Sequence, residues 1–302
     1  MFIEMLENVK KAHSLVHCIT NYVTVNDCAN ILIACGGSPI MSDDMGEVEE
    51  ITSICGGLAI NIGTLNQNTI PAMFLAGKRS NVLGHPVILD PVGAGASKLR
   101  TETAKKLLDE VKFTAIRGNI SEIKALSLGT GTTKGVDADV ADTVTEETLD
   151  SAVAFAKAFS KRTGAVIAIT GAIDIVADEK TAYIIRNGNA MMANITGSGC
   201  MLTAMTGAYL IANLGCMSSS AAKRNDQPGC MASNEAKGND LLNRALIAAA
   251  AAVCAMGFSG ELALERVKKS GGGNSSFRNY LIDAVYSLDG DTLMRGAKYE
   301  IK

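Results

Sequence analysis

The chain has 302 residues, with 28 Lys and Arg against 31 Asp and Glu and a formal net charge of −3. Without a basic excess, nucleic acid is not an expected partner. Hydrophobic residues make up 47% and charged residues 20%, which excludes disorder over most of the length; no Trp and a 4% aromatic share argue against a stacking platform for bases.

A membrane span needs about 20 continuous apolar residues, and no such run is read here. The nearest stretch, 245–258 (ALIAAAAAVCAMGF), is short and Ala-rich and reads as a helix buried against other helices. The start, MFIEMLENVKKAH, holds acidic residues and no long apolar block, so no secretory signal is expected and the protein is placed in the cytoplasm. Eight cysteines, at 18, 28, 35, 55, 200, 216, 230 and 254, form neither a CxxC pair nor a zinc-finger cluster with His. They read as reduced thiols, most of them small buried apolar groups.

Taken in chain order, short apolar runs bounded by Gly, Pro or Asp alternate with longer segments of helical period, the pattern of a βαβ chain with a mostly parallel sheet. Strands are predicted at 15–19, 58–62, 87–90, 114–117 and 165–170, with a weaker one at 38–40. Helices are predicted between them at about 25–35, 72–83, 103–111, 121–128 and 149–163. Runs 173–177 and 181–186, joined by Asp178-Glu179-Lys180, read as an appended hairpin. The chain turns helical again at 200–212 and 241–259, and 277–288 is amphipathic after the SGGGNSS loop. The segment 213–239 is rich in Ser, Asn, Gly and charge and lacks periodicity. It predicts a flexible surface insertion within one domain over 1–302, not a boundary.

In open α/β sheets ligands bind beyond the carboxyl ends of the strands. Here VILD ends on Asp90 before the loop PVGAGAS; AIRGN brings Arg117 and Asn119 and reaches Glu122; VIAITG ends on Thr170 and Gly171. The fourth element is Gly197-Ser198-Gly199-Cys200 ahead of a helix. Its glycines allow close backbone approach, and its first-turn N–H groups with the helix dipole make an anion site. The same field favours the thiolate form of a cysteine placed there, which sets Cys200 apart from the other seven.

Each piece also has a purely structural reading. Asp90 before Pro91 can simply end a strand. Asn119-Ile-Ser-Glu122 has the spacing of a capping box. Arg117 alone fits a surface ion pair, and Thr170-Gly171 a turn. Two Gly-rich pieces are set aside: 129–134 (GTGTTK) lacks the third glycine of a dinucleotide fingerprint, and 93–97 (GAGAS) lacks the Gly-Lys-Ser/Thr of a P-loop. The joint placement of the four elements favours chemistry.

Nearly the whole chain resembles the hydroxyethylthiazole kinases of the ribokinase-like superfamily, through VHCITNYVTVNDCAN, GGSPIMSDDMGEVEE, LAINIGTLN, GHPVILDPVGAGAS, IRGNISEI, GTTKGVDA, AVIAITGAIDIV, ITGSGCMLTA and FRNYLIDAVYSLDG. The resemblance implies a three-layer α/β/α fold and phosphoryl transfer from ATP to the hydroxyl of 4-methyl-5-(2-hydroxyethyl)thiazole, with Mg2+, in thiamine biosynthesis. It implies a homotrimer with active sites between subunits. By the same resemblance Arg117 and Thr170 contact ATP; Met45 and Gly197, with Asn21 and Val23 as weaker candidates, contact the thiazole. Asp90 and Glu122 handle the metal, and Cys200 stands where most ribokinase-like enzymes carry a catalytic Asp. Two departures stand out: Gly-Ser-Gly where Gly-Thr-Gly is expected, and the long segment 213–239. The competing readings are a hydroxymethylpyrimidine or pyridoxal-type kinase, a nicotinamide-nucleotide-repair dehydratase, and a non-catalytic thiazole-binding sensor.

Overall fold

A computed structural model describes residues 1–128, 143–215 and 235–302. The loop read at 129–134, Cys216, Cys230 and the interior of the 213–239 segment lie outside the described residues. Six strands run parallel: β1 (Leu15–Ile19), β2 (Ser38–Met41), β3 (Gly57–Asn61), β4 (Val87–Asp90), β5 (Ala115–Gly118) and β6 (Val166–Ile169). The antiparallel strands β7 (Asp174–Ala177), β8 (Ala182–Ile185) and β9 (Tyr299–Ile301) extend one edge. The order is β2-β1-β3-β4-β5-β6-β7-β8-β9.

The strands are apolar on both faces because both faces are covered. Along β6, Val166 and Ala168 join one core while Ile167 and Ile169 join the other; in β3, Ala59 faces the first and Leu58 and Ile60 the second. The first layer is built by α1 (Phe2–Ala12), α2 (Val25–Cys35), α8 (Ser198–Leu214), α9 (Glu235–Ser270), α10 (Asn274–Ser287) and α11 (Gly290–Gly296). The second is built by α3 (Val48–Ile54), α4 (Thr69–Leu83), α5 (Lys98–Glu110), α6 (Ile120–Ser127) and α7 (Leu149–Thr163). This is the three-layer α/β/α arrangement that the alternation of runs predicts. β1 and α2 fall on the predicted residues, and the hairpin forms as β7 and β8. α1, α3, α11 and β9 were not predicted.

The helix expected at 241–259 is longer: α9 begins at Glu235 and α8 runs to Leu214, which corrects the insertion expected at 213–239 at both its ends, because its flanking residues continue the two helices. Within α9, residues Asp240–Ser270 contain an 18-residue stretch with a mean hydropathy of 1.8, apolar and long enough on composition to cross a membrane. This corrects the expectation that no such segment exists. The physical reason for its hydropathy lies in packing: 67% of that stretch is buried, and Ala248 to Ala252 sit at 0% exposure against neighbouring helices. Small alanines let α8, α9 and α10 approach closely.

α8 is enclosed on all sides, with Met201, Met205, Ala208 and Leu210 all at 0% exposure. It packs on β1, β3 and β4 and against α1, α2 and α9. Burying a Met or Leu side chain contributes about 1.5–3 kcal/mol, so the helix cannot shift along the sheet without losing several such contributions.

On the far side of β1, His17 is fully buried and fixes the loop after β2. Its Nε2 lies 2.9 Å from Ser42 O and its Nδ1 lies 3.0 Å from Thr52 Oγ1. A carbonyl can only accept, so Nε2 carries the hydrogen and the Thr52 hydroxyl donates to Nδ1. Ser42 Oγ in turn donates to Glu47 Oε1 at 2.5 Å, which ties down both ends of the segment holding Met45. Burial lowers the His17 pKa from 6.5, against the opposing pull of Ser42 O and Glu47. The unfolded chain therefore takes up a proton at His17 as the pH falls through about 6.5 while the folded chain does not, and folding stability drops on acidification. His17→Leu should be less stable than the parent near neutrality but lose less further stability between about pH 7.5 and pH 5, by urea midpoints at both. Equal losses in the two proteins would place the acid sensitivity elsewhere.

Candidate active site

Because β1 neighbours both β2 and β3, the chain leaves the sheet in two directions at the β1/β3 boundary, and a crevice opens beyond the strand ends there. The residues at or just after those ends form a row: Asn21 after β1, Asn61 on β3, Asp90 on β4, Arg117 on β5 and Thr170 after β6. Strand register aligns them, with Asn61 opposite Asp90 and Gly118 opposite Ile169, and Thr170 N bonding Gly118 O at 2.9 Å. Above the row stands the N-terminus of α8.

Asp90 is at 0% exposure and is the most deeply buried group of the row. Its Oδ2 accepts from Asn61 Nδ2 at 2.7 Å and from Thr203 Oγ1 at 2.9 Å. Its Oδ1 accepts no hydrogen bond among the described residues and lies 3.5 Å from Arg117 Nη1. Burial pushes the carboxyl up to about 6, with Arg117, Thr203 and Asn61 pulling down and Glu122 adding to the rise. Arg117 Nη2 donates to Thr170 Oγ1 at 2.6 Å, so the guanidinium spans the buried Asp90 carboxylate and the hydroxyl after β6.

The first turn of α8 meets this row directly. Gly197 is the N-cap at φ +85°, and a methyl there would come within 2.5 Å of Thr24 Cγ2. A methyl at Gly199 would come within 2.5 Å of Arg117 Nη1, so the glycine admits the guanidinium beside the helix. Met201 N is bonded back to Gly197 O at 2.8 Å, and the N–H groups of Ser198, Gly199 and Cys200 precede it in the turn where helix geometry leaves donors unpaired. Cys200 is half-buried, with its Sγ 3.2 Å from Asn21 Nδ2 and 3.3 Å from Asn61 Nδ2.

Glu122 serves the capping box read from the sequence. Its backbone N–H donates to Asn119 Oδ1 at 2.8 Å, and its Oε2 accepts from Asn119 N at 2.9 Å. Its other oxygen, Oε1, accepts from Gly93 N at 2.8 Å and so holds the PVGAGAS loop to the start of α6. The carboxylate thereby joins the loops after β4 and β5 and still has lone pairs to offer.

Asp90, Arg117, Thr170, Asn21 and the Gly197–Cys200 turn thus come together on one rim, and Glu122 stands beside them across the Gly93 loop. Met45 and Val23 lie 47% and 56% exposed and take no part in the network. The sequence reading passed over Asn61, Thr203 and Asp174. Asn61 closes β3 within LAIN just as Asp90 closes β4 within VILD, and that parallel was the available signal. Asp174 accepts from Gly171 N at 2.8 Å, closing the turn that carries Thr170.

The chain is similar to known kinases over nearly its whole length. The sequence pattern of the "Hydroxyethylthiazole kinase family" matches residues 6–224. A hydroxyethylthiazole kinase of Clostridium acetobutylicum is 62% identical over 300 residues, covering 99% of both chains. One from Methanobrevibacter smithii is 40% identical, covering 99% of this chain and 96% of that one. The solved structure of hydroxyethylthiazole kinase protein from Pyrococcus horikoshii superposes with a TM-score of 0.79 at 28% identity, covering 100% of this chain and 98% of the other.

Burial pushes the Asp174 carboxyl up to about 7, against the Gly171 N–H and the Arg117 charge. Since the unfolded carboxyl ionises near 3.8, this group favours folding fully below that pH, and its contribution is lost as the pH rises through about 7. Asp174→Asn keeps an oxygen for Gly171 N and removes the titration. Its stability gain over the parent should be greater at about pH 8 than at pH 5 by about 1–3 kcal/mol, in urea unfolding at the two pH values. A gain independent of pH would show that Asp174 ionises as freely folded as unfolded.

Proposed function

The chain belongs to the hydroxyethylthiazole kinase family, and from that premise we propose how its own residues carry the reaction. It is a phosphotransferase that phosphorylates the hydroxyl of the thiazole alcohol with ATP as co-substrate. What supports the residue assignment is one convergence: Cys200 and the first-turn amides of α8 stand over the buried Asp90 and the Arg117–Thr170 pair.

In this reading the alcohol oxygen attacks the γ-phosphorus of ATP. The new O–P bond forms as the bond to the bridging oxygen breaks, and its electron pair leaves on ADP. The alcohol proton passes to the sulfur of Cys200, acting as a thiolate that becomes the neutral thiol. Such transfer depends mainly on positioning and on neutralising charge over the transferred group. Arg117 and the N–H groups of Ser198, Gly199 and Cys200 supply that neutralisation, and Thr170 orients Arg117. Gly197 and Asn21 form the wall nearest the reacting hydroxyl; Met45 and Val23 provide apolar contact to the thiazole ring.

The donor set suits Mg2+. Asp90 Oδ1 is a buried carboxylate oxygen without a hydrogen-bond donor among the described residues, and Glu122 keeps free lone pairs. No group of three or more His, Cys, Asp or Glu side chains able to hold a metal occurs among the described residues. Asp90 and Glu122 would therefore hold the ion with phosphate oxygens and water completing its shell. When bound, the ion supplies positive charge against the phosphates.

Four wider assignments belong to the same proposal. The chain acts in the cytoplasm, in thiamine biosynthesis or salvage. Residues 1–302 form one domain. The protein is a homotrimer with active sites between subunits, which the exposed apolar side chains of Tyr22, Val23 and Met45 beside the rim support.

An ADP-release assay should show turnover with the thiazole alcohol and Mg2+, far exceeding that with a pyrimidine alcohol; the reverse preference would transfer the chain to its pyrimidine-kinase cousins. Cys200→Ala should lower kcat by about 10²–10⁴ with little change in the KM for ATP, whereas Cys200→Asp should keep substantial activity. Full turnover in the Ala variant removes Cys200 from the chemistry. Glu122→Gln should raise the Mg2+ concentration needed for half-maximal activity. An unchanged magnesium titration with a lowered Tm would leave Glu122 with its capping role alone.

A further inference from the structure

The Cys200 sulfur sits in a cradle whose orientation follows from two backbone N–H groups. Gly63 N donates to Asn61 Oδ1 at 2.9 Å, and Thr24 N donates to Asn21 Oδ1 at 3.1 Å. A backbone N–H can only donate, so both carboxamide oxygens are fixed and both Nδ2 groups point the other way. Asn61 Nδ2 then has two hydrogens, one for Asp90 Oδ2 at 2.7 Å and one for Cys200 Sγ at 3.3 Å. Asn21 Nδ2 likewise divides its pair between Asn61 Oδ1 at 3.0 Å and Cys200 Sγ at 3.2 Å. Every amide hydrogen of the two side chains is used, and two of the four reach the sulfur. Asn21 and Asn61 are 4% and 3% exposed, so water does not compete for these donors.

We propose that Asn61 is a positioning residue of the phosphoryl transfer, which with Asn21 holds the Cys200 sulfur as an acceptor and fixes it relative to Asp90. The proposal rests on the reading of Cys200 as the group that receives the alcohol proton. Its physical content is geometric. One Nδ2 bridges the Asp90 oxygen and the sulfur, so the two cannot drift apart without breaking a buried hydrogen bond. A displacement of about 1 Å at a reacting group is enough to cost two orders of magnitude in rate.

The test is a double-mutant cycle with full kinetics. Asn61→Leu keeps the side-chain volume and removes both donors. Its kcat should fall at least tenfold while the KM for ATP stays within threefold. In a Cys200→Ala background, the same substitution should change the residual kcat by less than threefold, because the sulfur it positions is already absent. Asn61→Asp, which keeps Oδ1 for Gly63 N and Asn21 and loses the donors, should repeat the pattern at saturating Mg2+ if the Leu variant folds poorly. A kcat within threefold of the parent in a folded Asn61 variant overturns the proposal. Equal fold-losses in the two backgrounds also overturn it, since Asn61 would then act independently of the sulfur. Full turnover in Cys200→Ala alone is a different result, and it counts against the role of Cys200 itself.

Discussion

A carboxylate at zero exposure is the constraint around which the site is organised. Asp90 closes β4 where no water reaches it, and an ionised group there is tolerated only if the protein replaces its hydration. It does so unevenly. Oδ2 receives two neutral donors, from Asn61 and Thr203, while Oδ1 has only the charge of Arg117 at 3.5 Å. The rise of its pKa to about 6 expresses that incomplete compensation. Arg117 and Thr203 connect this carboxylate to β5 and α8, the elements on which the proposed chemistry rests.

The placement of α8 converts that constraint into a cleft. Thr203 lies one turn after Cys200, so its bond to Asp90 fixes the rotation of the helix at the turn where the thiol emerges. Gly199 carries no side chain where the Arg117 guanidinium passes, and Gly197 takes a positive φ against Thr24. The rest of α8 is buried all round. An amphipathic helix could rock on its polar side, but one sealed by α1, α2, α9 and the sheet can only translate, and translation costs core contacts. The apolar character of the helix thus serves the precision of its first turn.

Much of this was legible in the sequence because it is local. Runs such as VILD and VIAI announce buried strands, and NISE announces a capped helix, since every partner lies within four residues. The short elements escaped for the opposite reason. α3 and α11 each span seven residues, and β9 is a three-residue exposed strand that exists through its pairing with β8. The interior of the site was hidden for the same cause. Asn21, Asn61 and Cys200 are separated by 40 and 139 residues, and nothing in ITNY or LAIN says that both carboxamides turn toward one sulfur. His17 is similar: an imidazole inside a strand reads as an apolar position until Ser42 O and Thr52 arrive from other elements.

Glu122 shows that a structural and a chemical reading of one residue need not exclude each other. A carboxylate offers about four lone-pair directions, and the capping box with the Gly93 amide takes two. Those two bonds do more than end a helix. They bind the loop after β4 to the loop after β5, and so set the position of the carboxylate relative to Asp90, whose own pKa is raised mainly by burial and further by the Glu122 charge. Two acids held close without a cation repel; the amides of Asn119 and Gly93 offset that repulsion by giving the Glu122 charge donors of its own. The capping box therefore lets the second carboxylate remain beside the first.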